Sequence, residues 1–92
     1  MNYEIINGNA VIPEGTKTIG DWAFYGCTGL TAVTLPDSLT TIGYSAFYGC
    51  TGLTSITLPA GLTTIGYFAF RGCTGLTEVT KAEIIRININ AM

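Results

Sequence analysis

The chain has 92 residues, 48% of them hydrophobic and 11% charged, and its formal net charge is −2. This length fits one domain with a single core, and a hydrophobic, weakly charged composition excludes intrinsic disorder. The slightly negative charge excludes the basic surface that nucleic acids and anionic membranes attract, and the sequence contains no histidine, the commonest general base.

The first segment predicts a β-hairpin. Residues 3–6 and 9–12 are rich in apolar residues and flank Asn7-Gly8, which is the typical sequence of a two-residue type I′ turn. Ala10 and Pro13 also occupy the positions that Val33 and Pro36 occupy 23 residues later. We therefore expect residues 1–18 to form an N-terminal hairpin cap on the unit that follows.

A repeat of 23 residues runs through residues 19–80. Ile19–Thr41 and Ile42–Thr64 are identical at 17 of 23 positions. A fixed period between about 20 and 50 residues is typical of stacked units that cannot bury their apolar faces alone. The cysteines and prolines keep the same interval: Cys27, Cys50 and Cys73, and Pro13, Pro36 and Pro59.

Each repeat combines two periodicities. Residues 53–58 alternate apolar and polar side chains and end at Pro59, as expected for a half-buried strand. Residues 44–48 predict a helical turn with Ala46 and Phe47 pointing inward, ended by Gly49. These patterns predict an α/β solenoid with a parallel β-sheet on one side and short helical turns on the other.

The columns Leu-x-x-Val/Ile-x-Leu-Pro and Ala-Phe-x-Gly-Cys resemble the BspA-like, or treponemal-type, leucine-rich repeat, which has a 23-residue unit. The resemblance covers about residues 11–80. It implies a short right-handed leucine-rich repeat coil. Members of this family resemble bacterial and protist surface proteins that bind host matrix or cell-surface partners, so the resemblance also implies protein binding.

The last segment departs from the repeat. Lys81 and Ala82 replace the strand leucine and the proline, and residues 85–90 alternate isoleucine with polar residues. This alternation predicts a strand, so we expect residues 81–92 to form a C-terminal capping or dimerising strand. It could pair within its own sheet, or with a second copy to give a homodimer, because an open sheet edge has unpaired backbone groups.

The residue types that support catalysis or metal binding lack a suitable arrangement. Stacked coils would place the three cysteines in a line roughly 10 Å long, whereas structural zinc needs four ligands around one centre. The six acidic residues fall in different coils or columns, and no nucleophile has a histidine beside it. We predict no catalytic residues, no metal site and no cofactor, and expect the cysteines to be buried, reduced thiols.

The positions that vary between repeats are the candidates for binding, because the scaffold does not dictate them. Around the helical turn they carry residue types that are common in binding hot spots. Alternatively, these side chains lean over neighbouring coils and thicken a thin core. The predicted partner-binding residues are Trp22, Tyr25, Tyr44, Tyr48, Tyr67, Phe68 and Arg71 around the turn, with Ser55 and Glu78 on the strand face.

The function predicted from the sequence is a non-catalytic protein-binding module whose partner it does not name. Two alternatives remain: a self-assembling structural element, and a small intracellular inhibitor of a host protein of the phage or mobile-element type. The sequence as written begins without a signal peptide. This predicts a cytoplasmic protein, or a secreted or cell-surface one if a leader was removed.

Overall fold

Each repeat forms one coil of a solenoid in the computed structural model, which describes residues 3–92. Strands β1, β3 and β5 form one three-stranded sheet, and β2, β4 and β6 form another. Both sheets are parallel, and each pairing joins residues 23 apart, as in Ala10 with Val33. The strands are β1 (Asn9–Val11), β2 (Thr18–Ile19), β3 (Ala32–Thr34), β4 (Thr41–Ile42), β5 (Ser55–Ile56) and β6 (Thr64–Ile65).

A column of phenylalanines lies at the centre of the core. The rings of Phe24, Phe47 and Phe70 are at most 1% exposed and stack with centroids 5.1 Å apart at each step. Tyr3 extends this column at the N-terminal end, with its ring 5.3 Å from that of Phe24. The predicted solenoid and its stacked columns are therefore confirmed.

The second sheet was not predicted. Each of its strands contains only a threonine and an isoleucine, and the isoleucines Ile19, Ile42 and Ile65 are buried. Two residues are too few to show an alternating pattern, which needs at least about four. The sheet is visible only once the coils are stacked.

The predicted helical turns are hydrogen-bonded turns that do not continue into a helix. The amide of Tyr48 donates to the carbonyl of Ser45, three residues earlier. The amide of Phe47, in contrast, donates to Ala69 in the next coil. Every second amide of the turn donates to a carbonyl of the next coil, so these amides cannot form the hydrogen bonds of an α-helix. The turns of neighbouring coils are therefore hydrogen-bonded to each other, as the strands are.

Gly43 and Gly66, which follow the buried isoleucines of the second and third coils, permit this close stacking. A Cβ atom at Gly66 would lie 2.5 Å from the amide nitrogen of Tyr44 in the preceding coil. Only a residue without a side chain allows such an approach.

The hairpin turn predicted at Asn7-Gly8 is present. Ile6 and Asn9 exchange backbone hydrogen bonds of 2.8 and 2.9 Å, and Asn7 and Gly8 have φ angles of 52° and 82°. Positive values at both positions are those of a type I′ turn. The predicted cap also included Met1 and Asn2, which lie outside the described residues.

The C-terminal strand was predicted wrongly, because the segment is a helix, α1 (Glu78–Ile87), followed by a 3₁₀ helix (Ile89–Ala91). Thr77 caps α1, its side chain accepting a hydrogen bond from the amide of Thr80, which is a strong helix-start signal. Thr80 and Ile84 are buried, and their spacing of four residues suits a helix face. The alternating isoleucines at 85, 87 and 89 suggested a strand and concealed the helical spacing of Thr80 and Ile84.

The correction has two consequences for the predicted sites. No strand is available at residues 85–90 for the proposed homodimer. Glu78 belongs to the first turn of α1 and not to the strand face, although its equivalents Ala32 and Ser55 do pair in the sheet. There it forms an exposed ion pair of 3.5 Å with Lys81.

Asn88 joins α1 to the last coil. Its Nδ2 donates to the carbonyl of Ile65 at 2.8 Å, and its Oδ1 accepts from the amide of Asn90 at 2.9 Å. The carbonyls of Asn90 and Ala91 then accept hydrogen bonds from Phe68 and Phe70. The C-terminal residues thus provide partners that another coil would otherwise provide.

Replacement of the central phenylalanine tests the core. We expect Phe47→Ala to lower the free energy of unfolding by about 3–5 kcal/mol, since it leaves a cavity between two rings. Urea unfolding followed by circular dichroism measures this loss. Val79→Ala is the control, because Val79 is 73% exposed and should change stability by less than about 0.5 kcal/mol. Similar stabilities for both variants would contradict the stacked core.

A matched pair of asparagines tests the C-terminal cap. We expect Asn88→Ala to lower the free energy of unfolding by about 1–2 kcal/mol, because it removes a helix cap and a hydrogen bond to a buried carbonyl. Asn90→Ala keeps its backbone contacts and should be nearly neutral. Equal losses in the same urea titration would show that the Asn88 side chain has no capping role.

Candidate binding surface

The variable residues of the turns form one connected group of rings. Trp22 is central, with its ring centroid 4.9 Å from that of Tyr25 and 5.1 Å from that of Tyr44, both in edge-to-face geometry. Tyr25 stacks on Tyr48 at 5.2 Å. Edge-to-face and stacked contacts are favourable geometries for aromatic pairs. They join these four rings into one contiguous group.

The group continues into the third coil. Tyr44 contacts Phe68 edge to face at 6.0 Å, and the guanidinium of Arg71 lies 5.1 Å from the centroid of Phe68, within the range of a cation–π contact. We call this group the aromatic surface; its members are Trp22, Tyr25, Tyr44, Tyr48, Phe68 and Arg71.

The rings contact one another and still remain accessible. Trp22 is 48% exposed, Tyr25 52% and Tyr44 38%. Tyr48 and Phe68 are partly buried. The side chains therefore lean over neighbouring coils, as the packing alternative predicted, and also present a surface to solvent.

The remaining three predicted residues do not take part in these contacts. Tyr67 is 58% exposed, and within residues 3–92 it forms none of the ring contacts described above. Ser55 is exposed on β5, and Glu78 lies on α1. The structure thus brings together six of the nine predicted residues.

An unusual backbone conformation positions the rings. Trp22, Ser45 and Phe68, at the same place in successive coils, have positive φ angles of 64°, 53° and 59°. Bulky side chains rarely adopt this left-handed region, and the strain persists only where surrounding contacts enforce it. None of the three is glycine, so the sequence gives no sign of this conformation.

Ser45 was not among the predicted site residues. It is 1% exposed, and its Oγ has no hydrogen-bond partner within residues 3–92. It is the one small residue in a column whose other members are Trp22 and Phe68. This difference in size is the feature of the sequence that could have identified Ser45 as unusual. Beside it, the amide of Tyr44 donates to Oδ1 of Asp21 at 2.8 Å, which fixes the backbone of the second turn.

The cysteines have a structural role in this arrangement. Cys50 Sγ donates to the carbonyl of Phe24 at 3.1 Å, and Cys73 Sγ to that of Phe47 at 3.0 Å, so each thiol ties its coil to the preceding one. All three are free thiols, with Cys27 only partly buried. Contact with the Cys73 thiol, together with burial, raises the pKa of Cys50, and burial raises the pKa of Cys27.

Other candidate sites in the described part of the chain are modest. Two open cavities of about 230 Å³ lie near the two ends of the solenoid, one beside Tyr3 and Asp21 and the other between Leu58 and Arg86. No group of three potential metal ligands occurs within residues 3–92. The same residues include no helix of the length and hydrophobicity that would cross a bilayer.

Residues 3–92 match the family model described as BspA type Leucine rich repeat region (6 copies). The chain belongs to the BspA-type leucine-rich repeat family. The resemblance noted in the sequence is therefore confirmed. Leucine-rich repeat proteins of this kind are generally protein-interaction modules.

Two solved leucine-rich repeat proteins match this BspA-type chain. A leucine-rich repeat protein of T. pallidum is 41% identical with a TM-score of 0.71, over 74% of this chain and 34% of that one. A leucine-rich repeat protein of Bacteroides ovatus is 31% identical with a TM-score of 0.48, over 73% of this chain and 23% of that one. The BspA-type chain described here thus spans about a third or less of either relative. No curated protein matches it.

Thiol labelling tests the cysteine column. We expect Cys27 to react with iodoacetamide in the folded protein while Cys50 and Cys73 react only after unfolding, because the last two are buried. Since burial raises the pKa of Cys27, less of it is thiolate at pH 8 than in the unfolded chain, so its labelling should be slower than that of an unfolded thiol. Peptide mass spectrometry identifies the labelled residue. Equal labelling of all three thiols in the folded state would contradict the stacked column.

Proposed function

We propose that this chain is a non-catalytic protein-binding module that contacts its partner through the aromatic surface. The proposal combines the general role of leucine-rich repeats with the geometry of the six residues. It does not depend on the longer relatives having the same partners.

The observation that carries the proposal is the exposure of three large rings in one connected group. Trp22, Tyr25 and Tyr44 are between 38% and 52% exposed while in mutual contact. Tryptophan, tyrosine and arginine are the residues most enriched in binding hot spots, and the surface contains all three types. Contiguous exposed apolar patches commonly mark interaction sites.

The scaffold holds these rings in place before a partner arrives. The amide of Trp22 donates to the carbonyl of Tyr44 at 3.0 Å, and that of Phe24 to Ala46 at 2.7 Å. Such hydrogen bonds between coils restrict the turns that carry the rings. A preorganised surface loses less conformational entropy on binding, which favours an interface made from the turns.

The strand face supports binding less well. Its exposed residues include Ser55 and Thr34, which are short, and serine and threonine are under-represented among hot spots. With Glu78 on α1 the face also loses its predicted charged residue. The aromatic surface is therefore the better candidate.

Site-specific photo-cross-linking tests this proposal. We would replace Tyr25 with p-benzoylphenylalanine, which retains an exposed ring, and irradiate the protein in cells that produce it. We expect one discrete adduct with another protein, identified by mass spectrometry. The photoreactive residue at Val79, which is 73% exposed on α1, is the control and should give no adduct of that mass.

The outcomes separate the candidate functions. An adduct that forms at Tyr25 and disappears when Trp22→Ala is added supports partner binding through the aromatic surface. Adducts only between copies of the chain would support self-assembly instead. An adduct unaffected by Trp22→Ala, or one formed equally from Val79, would overturn the proposed site.

A further inference from the structure

We infer that the partner binds as an extended strand along the open edge of β2, at the N-terminal end of the solenoid. The inference rests on the proposed function and names the conformation and the binding mode of the partner segment. An open sheet edge presents unpaired backbone groups to another chain, and addition of a strand to such an edge is a general mode of peptide recognition.

The backbone groups of this edge are paired in the later coils but not in the first. The amides of Thr41 and Gly43 donate to carbonyls of the first coil at 3.2 and 2.8 Å, and the third coil repeats both bonds. The equivalent residues of the first coil are Thr18 and Gly20, which are exposed and whose amides donate no hydrogen bond within residues 3–92. The carbonyl of Asp21 accepts none in the same range, although its counterparts in the second and third coils each accept one. Two donors and one acceptor of the described chain therefore lie along this edge without a partner.

The space in front of Gly20 is open. A Cβ atom at Gly43 would lie 2.7 Å from the amide nitrogen of Asp21 in the preceding coil. One at Gly66 would lie 2.5 Å from the amide nitrogen of Tyr44. A Cβ atom at Gly20, in contrast, would meet no heavy atom of residues 3–92 within 4 Å. The place that the backbone of a preceding coil fills at the later glycines is therefore left unfilled at Gly20 by the described chain.

A cavity of about 230 Å³ lies at the same edge. Its lining includes Thr18, Gly20 and Asp21, with Tyr3 and Ala23 beside them. The volume is below the range of about 300–1,000 Å³ that is typical of small-molecule pockets, so we expect the cavity to take one side chain of a bound strand. The unpaired backbone groups and the cavity share three residues and therefore belong to one site.

The solenoid itself indicates which kind of segment fits this edge. At both equivalent steps, β2 with β4 and β4 with β6, the pairing is parallel, and the preceding segment is Thr-Ile followed by glycine. Threonine and isoleucine are β-branched and favour extended strands. The partner strand is therefore parallel to β2 and carries β-branched residues opposite Thr18 and Ile19. The row of unpaired groups ends at Asp21, directly before Trp22, so the bound strand continues toward the aromatic surface.

Amide hydrogen exchange measured by NMR tests the inference. The probe is an acetylated and amidated peptide with the sequence of residues 40–45, Thr-Thr-Ile-Gly-Tyr-Ser, because this segment precedes the third coil in the equivalent position. We expect the peptide to slow exchange of the Thr18 and Gly20 amides at least about tenfold, since each gains an acceptor. The same peptide with an N-methylated isoleucine lacks a backbone donor and should leave exchange unchanged.

Two glycine variants control this experiment. Gly20→Ala should abolish the protection of Thr18, because its Cβ atom would occupy the path of the peptide backbone. Gly29→Ala should leave the protection unchanged, and Gly29 is likewise exposed with no heavy atom of residues 3–92 within 4 Å of its Cβ position. Neither glycine has a positive φ angle, so both variants should fold as the parent does, which circular dichroism verifies.

Three results would overturn the inference. The first is absence of protection at millimolar peptide, and the second is protection that Gly20→Ala leaves intact. The third is protection of Thr18 that increases with protein concentration in the absence of peptide, because it would place a second copy of the chain at this edge.

The result can be distinguished from that of the cross-linking experiment. An adduct at Tyr25 whose yield is unchanged by Gly20→Ala would reject strand addition while leaving the proposed binding function in place. Protection of Thr18 by the peptide without any captured protein would do the reverse.

Discussion

The fold depends on the stacking of identical side chains at a spacing of 23 residues. No single coil can bury Phe47 by itself, because the ring is covered on its two faces by Phe24 and Phe70 from adjacent coils. Two parallel sheets and the hydrogen-bonded turns keep the same register. Any slip by one residue would separate every buried column from its neighbours, so the register specifies the core.

The same register also brings the residues of the aromatic surface together, and the chain covers the two ends of the solenoid. Positions that need not pack inside vary between repeats, and stacking brings Trp22, Tyr44 and Phe68 from three coils into contact. At the C-terminal end, Asn88 replaces a backbone donor with its side-chain amide, and at the other end the ring of Tyr3 stacks on that of Phe24. Both ends of the stack are therefore covered at least in part by the chain itself, as expected for capped repeat proteins.

The sequence was most informative where the repeat determines the structure. The strand register, the buried phenylalanines and the Asn7-Gly8 turn follow from period and turn chemistry. The strands around Ile19 and Ile42 are too short to show the alternation of apolar and polar residues that predicts a strand. The left-handed turns contain tryptophan, serine and phenylalanine, whereas a glycine at these positions would have indicated a positive φ angle. Helix α1 was missed because alternating isoleucines suggested a strand, whereas the Thr77 cap determines the local fold. Six of the predicted binding residues contact one another. Their contacts depend on how side chains of adjacent coils pack, which the residue type at each position does not determine.

A double-mutant cycle on the phenylalanine column tests the stacking most directly. Leucine substitutions at Phe47 and Phe70, alone and together, should show a coupling free energy of at least about 0.5 kcal/mol in urea unfolding, because the rings are in contact. The same cycle for Phe24 and Phe70, which both stack on Phe47 and have no ring contact with each other, should show a smaller coupling free energy than the cycle for Phe47 and Phe70, because only a shared partner links them. Additive losses in both cycles, or equal coupling in both, would contradict a core built from rings stacked coil upon coil.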